Sequence, residues 1–481
     1  MTVADKQQFV QQLRGFIDPA AIIHEAEALR PYECDGLAVY RQTPWIVVLP
    51  DAIEQVQQVM RLCHRQRVPV VARGAATGLS GGALPLEDGV LLGLSKFNKI
   101  IQIDAAARIA RVQPGVTNLA ISQAVDHLGL YYAPDPSSQI ACTIGGNVAE
   151  NSGGVHCLKY GLTVHNVLQL KMVTAEGELV TVGGAALDSP GYDLLALMNG
   201  SEGMLGVVVE VLVRLLPKPS VTSTMMAAFD DVERAADSVG MLLAEGIIPA
   251  GLEMMDNPAI RAAEDFVHAG YPRDAEAILL CELDGSEAEV NDQKEQVVEL
   301  LQRAGASEVR IARDETERMK FWQGRKSAFP AVGRISPDYY CMDGTVPRSS
   351  LAEVLKGISQ LSAEFDLPVA NVFHAGDGNL HPLILFDANQ PGQLQRAEDL
   401  GAQILALSVK VGGTITGEHG VGYEKIHQMC LQFSPAELEQ FRQVKQAFDH
   451  ELLLNPGKAI PQPKHCSEYK LFAGEHQHEH A

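Results

Sequence analysis

Short apolar runs separated by amphipathic stretches make up the first half of the chain. Trp45 to Leu49 and Val68 to Ala72 are continuous apolar runs of strand length. Between them Asp51 stands as a helix cap, with Glu54 at the capping-box position and Ile53, Val56, Val59 and Met60 as the apolar stripe. A strand, a helix and a strand of these lengths predict a parallel pair. Strand patterns follow at 90–94, 100–103 and 109–113, then a helix near 117–128. Residues 131–161 are rich in Pro, Gly, Ser and Asn and lack either period, as expected of a binding loop. Leu168 to Val173, Leu179 to Val182 and Val207 to Leu215 read as strands again, and Pro217-Lys-Pro219 marks a boundary. Beyond it, helices at about 230–246, 286–304, 350–365 and 395–411 alternate with strands at about 224–229, 277–283, 368–373 and 380–386. That alternation predicts an α+β domain, an antiparallel sheet with helices on one face.

Four segments follow: a helical arm at 1–40, a domain at 41–219, a second domain at 220–460 and a flexible tail at 461–481. With 481 residues the chain exceeds what one core usually serves, and 46% hydrophobic with 20% charged residues is an ordinary globular balance. The net charge of −22 argues against nucleic acid or an anionic membrane as partner. No apolar run reaches the roughly 18 residues of a membrane span, and the opening residues lack the apolar core of a signal peptide, which predicts a cytoplasmic protein. The eight cysteines include no C-x-x-C pair, so they read as reduced core residues rather than zinc or iron–sulfur ligands.

The chemistry-bearing segment is His374-Ala-Gly-Asp-Gly-Asn-Leu-His381. With Gly376 to Asn379 as a four-residue hairpin loop, His374 and His381 face each other with Cβ atoms roughly 4.5–5.5 Å apart, close enough to share an ion. Glu418, in Gly417-Glu-His-Gly420, completes a two-histidine, one-carboxylate set with open positions for a divalent ion. The competing reading is a polar hairpin with two unrelated histidines. In a regular strand Glu418 and its neighbour His419 point to opposite faces, so both serve one site only if the glycines bend the chain.

Arg73-Gly-Ala-Ala-Thr-Gly-Leu-Ser-Gly-Gly82 follows a strand directly. Such a loop lets backbone N–H groups turn toward a pyrophosphate. It fits neither G-x-G-x-x-G nor a P-loop. Ala133-Pro-Asp-Pro-Ser-Ser138, Thr143-Ile-Gly-Gly-Asn147 and Asn151-Ser-Gly-Gly154 add small-residue clusters that admit a large, flat ligand.

Together with Gly203 to Gly206 and Asn455-Pro-Gly-Lys458, these segments resemble the FAD-linked oxidases of the vanillyl-alcohol-oxidase type, in the D-2-hydroxyacid dehydrogenase branch that includes the D subunits of glycolate oxidases. The resemblance covers about residues 40–460 and implies a two-lobed FAD-binding domain followed by a C-terminal domain that caps the flavin. It implies FAD contacts from Arg73, Gly74, Ala75, Ala76, Thr77, Gly78 and Leu79, and from Asp135, Ser138, Thr143, Gly146, Asn147, Ser152 and Gly154. Val207 falls toward the adenine, and Asn455 and Lys458 toward the flavin. No histidine stands in the first glycine loop, so the FAD is expected to be non-covalent, with His156 the residue to check.

The implied reaction is oxidation of a small 2-hydroxy acid, glycolate or D-lactate. His374, His381 and Glu418 hold Zn, Mn or Fe, and His419 acts as base. Arg325, in Trp322-Gln-Gly-Arg325-Lys326, binds the substrate carboxylate, with Lys326 and Arg334 in reserve. Asn379 is expected to orient His381 or the substrate, and Leu383 to favour a small acid. Electrons pass to an iron–sulfur subunit of a hetero-oligomer that also holds a second FAD-binding subunit. A non-catalytic FAD-binding assembly subunit and an alkyl-transferring flavoenzyme are the alternatives. The intact histidine set disfavours the first, and a long apolar tunnel would mark the second.

Overall fold

In the computed structural model, residues 3–186, 191–462 and Cys466 are described. Apart from Pro461, Gln462 and Cys466, the tail expected at 461–481 lies outside them. The chain divides into two compact units: Met1–Gly153, Leu162–Pro217 and Glu418–Ala481 form the first, and Gly154–Gly161 and Lys218–Gly417 the second. The boundary at Pro217 falls where proline punctuation placed it. By compactness the second unit ends at Gly417, and the chain from Glu418 onward returns to the first unit. There Val70 N–H donates to Leu453 O at 2.8 Å and Asn455 N–H to Val70 O at 2.8 Å, so a C-terminal segment completes an N-terminal strand.

The first unit opens with helix α1 (Val3–Leu13) and strand β1 (Ile22–Ile23). Residues 1–40 are therefore no arm: Phe9, Val10, Leu13 and Ile17 are buried with Trp45, Val56 and Met60 in one core. Strand β2 (Ile46–Val48), helix α2 (Ile53–Gln66), β3 (Val70–Arg73) and β4 (Val90–Gly93) follow. The sheet order is β1-β2-β4-β3, with β2 and β3 each parallel to β4. The two strands are thus not paired with each other as expected; the later strand lies between them. The apolar stripe of α2 is buried as its spacing predicts, but Ala52, not Asp51, is its N-cap and makes no side-chain cap bond. A second sheet, all antiparallel, is built from β5 (Ile100–Asp104), β6 (Ile109–Val112), β7 (Val167–Val173), β8 (Leu179–Gly183) and β9 (Val207–Arg214), in the order β5-β6-β9-β7-β8. Helix α3 (Asn118–Val125) covers it, and the segment expected to be an unstructured loop contains helix α4 (Ile144–Glu150). Cys430 and Cys466 form a disulfide with Cα atoms 5.3 Å apart, which corrects the all-reduced expectation.

The second unit is a seven-stranded antiparallel sheet: β10 (Val221–Phe229), β11 (Gly251–Asp256), β12 (Ala277–Gly285), β13 (Glu308–Ile311), β14 (Asp338–Cys341), β15 (Val369–Phe373) and β16 (Pro382–Phe386). Its order is β13-β10-β12-β11-β15-β16-β14. Helices α5 (Val232–Ala244), α6 (Asn257–Val267), α7 (Glu287–Arg303) and α8 (Glu315–Lys326) connect its strands. One face, carrying Met226, Met255, Ile278 and Leu280, packs on α6 and α8. The opposite face, with Met225, Ala227, Leu279 and Cys281, is equally buried, and α5 and α7 contact the same strands. Helices cover both faces, not one. Burial on both sides erases the alternation that marks a half-exposed strand, which is why β11 reads poorly in the sequence.

Asp256 caps α6 and accepts from the Asn371 backbone N–H and side-chain amide. Burial pushes its carboxyl up to about 6, although these hydrogen bonds oppose the rise. The native state therefore holds this proton more tightly than the unfolded chain, and the stabilisation is present below about pH 4 and lost as pH rises through 6. Asp256→Asn, neutral throughout, should gain on wild type by about 3 kcal/mol between pH 4 and 7. Paired thermal unfolding curves check this; a gap between the two proteins that does not move with pH would contradict it.

Candidate functional site

Strand register explains the first half of the site. Met254 pairs with Phe373, and carrying the ladder one residue further sets His374 beside Glu253 on the adjacent strand. The hairpin loop is Ala375–Gly378, closed by a bridge between His374 and Asn379, one residue earlier than expected. Gly378 takes φ +73°, and a Cβ there would overlap the Val346 carbonyl. His374 and His381 are therefore diagonal rather than directly opposed, yet their rings still meet, with centroids 5.2 Å apart at 83°.

Glu253 Oε1 lies 2.7 Å from His374 Nδ1, and its Oε2 lies 2.6 Å from Arg325 Nη2. Carboxylate oxygens only accept, so Nδ1 carries the proton and Nε2 is the acceptor nitrogen of the ring. His381 Nε2 lies 3.4 Å from Asp343 Oδ1, while Asp343 Oδ2 accepts from Thr416 Oγ1 at 2.6 Å and Gly417 N–H at 3.0 Å. Two buried imidazoles, one hydrogen-bonded to a carboxylate and the other 3.4 Å from one, form a donor set that fits a divalent ion. Arg325 is 2% exposed, and its Nε has no hydrogen-bond partner among the described residues. Lys326 and Arg334 are exposed. Leu383 is packed in the core with Ala370 and Cys341, so its identity says nothing about substrate size.

A second buried carboxylate seats the helix that carries Arg325. Glu282, directly across from Thr224 and Gly251 in the sheet, accepts from Thr224 Oγ1, Arg318 Nη1 and Trp322 Nε1 at 2.5, 2.9 and 2.6 Å. Burial drives its carboxyl up, but His156, Thr224 and Arg318 outweigh it and hold it at about 2. His156 Nε2 lies 3.3 Å from Glu282 Oε1, and the nearby Lys159 and Tyr160 both donate to Asp284.

In the first unit, no backbone N–H from Gly74 to Leu79 donates a hydrogen bond among the described residues. Ala76 is left-handed at φ +57°, Gly78 has open space beside it, and a Cβ at Gly74 would overlap the Thr143 hydroxyl. Thr143 Oγ1, at the N-cap of α4, is buried and without a hydrogen-bond partner among the described residues. Free N–H groups on a glycine loop fit a pyrophosphate. Asn147 is held by Asn118 at 3.1 Å, Ser152 O accepts from Thr163, and Gly146 lies beside Thr143. Asp135 and Ser138 are half-buried before α4, and Gly154 falls in the second unit.

Other expected cofactor residues face the protein itself. Arg73 donates to the carbonyls of Tyr32, Cys34 and Ala83, and Val207 lies in the core. Asn455 donates to Gly82 O and Glu202 O. Lys458 donates to Gly82 O, Leu84 O and Asn455 Oδ1, and burial pushes its amine down to about 7. These side chains hold the loop in place.

Gly417–Gly420 is a bend rather than a strand, with Gly420 at φ +83°. Glu418 Oε2 accepts from Gly153 N–H at 2.9 Å, and His419 is half-buried beside it. Glu202 accepts from Val421 and Gly422 N–H at 2.8 and 2.7 Å, and a Cβ at Gly420 would overlap Glu150. Burial, with the charge of Glu202, pushes Glu150 well above the usual carboxylate range. Sequence reasoning missed Glu253, Asp343, Glu282 and Glu150. The available signal was a lone carboxylate inside an apolar run, as in Leu252-Glu-Met-Met255.

Two family models match: the FAD binding domain at residues 44–183 and the C-terminal domain of FAD linked oxidases at residues 218–459. Glycolate oxidase subunit GlcD of Escherichia coli (strain K12) is 63% identical over 474 residues, covering 98% of this chain and 95% of that protein. A D-lactate dehydrogenase of Anaerostipes hadrus is 32% identical over 92% of this chain and 95% of its own length. Among solved structures, p-cresol methylhydroxylase superposes with a TM-score of 0.81 at 17% identity, over 96% of this chain and 98% of that one. Alkyldihydroxyacetonephosphate synthase superposes with 0.73 at 18% identity, over 93% and 85%. Both show the same fold.

If the loop at Gly74 takes phosphate, Gly74→Ala should weaken FAD binding by roughly tenfold, about 1.4 kcal/mol. That lies within the roughly 1–3 kcal/mol cost of forcing a methyl into a packed contact. Flavin retained after gel filtration measures it; full retention would contradict the assignment.

Proposed function

Because this chain belongs to the FAD-linked oxidase family, we propose that it oxidises a small 2-hydroxy acid, glycolate or D-lactate, to the 2-oxo acid. The observation that carries the reading is the buried His374–His381 pair tied through Glu253 to Arg325. An α-hydroxy acid presents a carboxylate and an adjacent hydroxyl, and this set offers an arginine for the first and two imidazoles for a cation that would meet the second. The relatives named glycolate oxidase subunit and D-lactate dehydrogenase support the substrate class.

Bound flavin would supply the two-electron acceptor, and a Zn, Mn or Fe ion the Lewis acid that acidifies the hydroxyl. FAD is held without a covalent bond by the Gly74–Leu79 amides and the Thr143 region. His374 and His381 would hold the ion, with Glu418 assigned as third ligand on its sequence motif. Arg325 anchors the substrate carboxylate in a low-dielectric setting where a charge-assisted bond is strong. His419, assigned from the same motif as Glu418, would receive the hydroxyl proton, a general-base role that imidazoles commonly fill. Asn379, buried beside this pair, completes the polar wall. A relative named as a subunit supports a hetero-oligomer; within it the electrons would pass to an iron–sulfur subunit in the company of a second FAD-binding subunit. No helix among the described residues is long and apolar enough to cross a membrane.

Purified protein should be yellow, and its flavin should bleach under anaerobic conditions on addition of glycolate or D-lactate. A flavin that stays oxidised with every 2-hydroxy acid in a panel would end the proposal. His374→Ala should abolish turnover and leave the yellow colour. Loss of flavin together with activity would instead make His374 a folding residue.

A further inference from the structure

We propose that Glu253 is a positioning residue that couples the ion-binding and carboxylate-binding parts of the site. The inference rests on the function proposed above for His374 and Arg325, and deepens it. Glu253 is 1% exposed and splits its two oxygens between two functions: Oε1 to His374 Nδ1 at 2.7 Å and Oε2 to Arg325 Nη2 at 2.6 Å. Register sets both the strand positions, and the helix supplies the third member. On α8, Arg318, Trp322 and Arg325 follow one another at spacings of four and three, a single helix face. Glu282 takes the first two and Glu253 the third, so two carboxylates on one sheet face fix both the height and the rotation of this helix. Gly324 is part of the same fit, because a Cβ there would overlap the Tyr271 ring.

Two consequences follow from the shared carboxylate. First, it commits His374 to the Nδ1–H tautomer, which makes Nε2 the acceptor nitrogen and raises its basicity. Second, it forms an ion pair with Arg325 Nη2 while neither Nε nor Nη2 of the arginine has a hydrogen-bond partner among the described residues. The arginine is thus held with donor capacity in reserve for a second anion. With a cation on His374, Glu253 would be held more tightly by that ring and less tightly by Arg325, so ion occupancy and substrate-anion affinity would be linked, and reciprocally.

The test uses Glu253→Gln and, because that change leaves Arg325 buried without its counter-charge, the double variant Glu253→Gln with Arg325→Met. Three readouts apply. Zn or Mn dissociation constants are measured by chelator competition on the flavin-loaded protein. The His374 tautomer is read by ¹⁵N NMR on ion-free protein. KM and kcat are measured at saturating ion. Glu253→Gln should weaken ion binding about 10–100-fold, reduce the Nδ1–H population of His374 and, with no carboxylate competing for Arg325, lower KM for the 2-hydroxy acid at saturating ion, with the flavin spectrum unchanged. Where the single variant does not fold, the double variant should show the same loss of ion affinity. Unchanged ion affinity in the folded variant, or an Nδ1–H tautomer that survives without Glu253, would overturn the inference. A wild type that binds no ion and oxidises no 2-hydroxy acid would instead defeat the function it rests on, a distinguishable result.

Discussion

A carboxylate shut away from water must be paired or give up its charge, and the second unit is organised around that constraint. Glu253, Glu282 and Asp284 lie deep in the sheet region and each is matched to cations or N–H and O–H donors supplied by other segments. Isolated, each would cost several kcal/mol. Paired, they act as fixed points that set where α8 and the Gly154–Gly161 segment lie against the strands. Breaking such a pair by removing one partner is far costlier than never having built it, so the geometry they impose is sharply defined. The histidine hairpin inherits that definition through a single oxygen of Glu253.

The first unit solves a different problem by backbone rather than side chain. A pyrophosphate asks for several N–H groups at once, and the proposal that Gly74–Leu79 cradles one rests on amides left unbonded within the described residues. That freedom is offset by what surrounds the loop. Arg73, Lys458 and Asn455 bind the carbonyls of its neighbours, so the flanks are rigid while the cradle is open. The residues from Glu418 onward return to this unit for that purpose, and the Glu202 carboxylate clasps the backbone of Val421 and Gly422 as they arrive.

What the sequence made legible follows the same physics. Glycine clusters and paired histidines carry their meaning locally, so the glycine loop after β3, the histidine hairpin and the Pro217 boundary could be read from spacing. Most strands of the second sheet were readable as apolar runs. The failures are non-local. Whether residues 1–40 form an arm or join a core depends on Trp45 and Met60, and the strand between β2 and β3 arrives only after a loop. The hairpin was misplaced by one residue because the left-handed position is at Gly378, and either glycine of the turn could have taken it. Glu253 was invisible because its role exists only once Arg325, 72 positions away, and His374, 121 positions away, are brought to its two oxygens.

The central claim is that His374 and His381 hold a divalent ion in a protein that carries FAD. Crystals of the flavin-loaded protein grown with Zn or Mn, measured on both sides of the metal absorption edge, test it most directly. The account predicts one strong anomalous peak bonded to nitrogens of both imidazoles at about 2.0–2.2 Å. Full FAD occupancy with no peak at these histidines, or a peak confined to other residues, would contradict it.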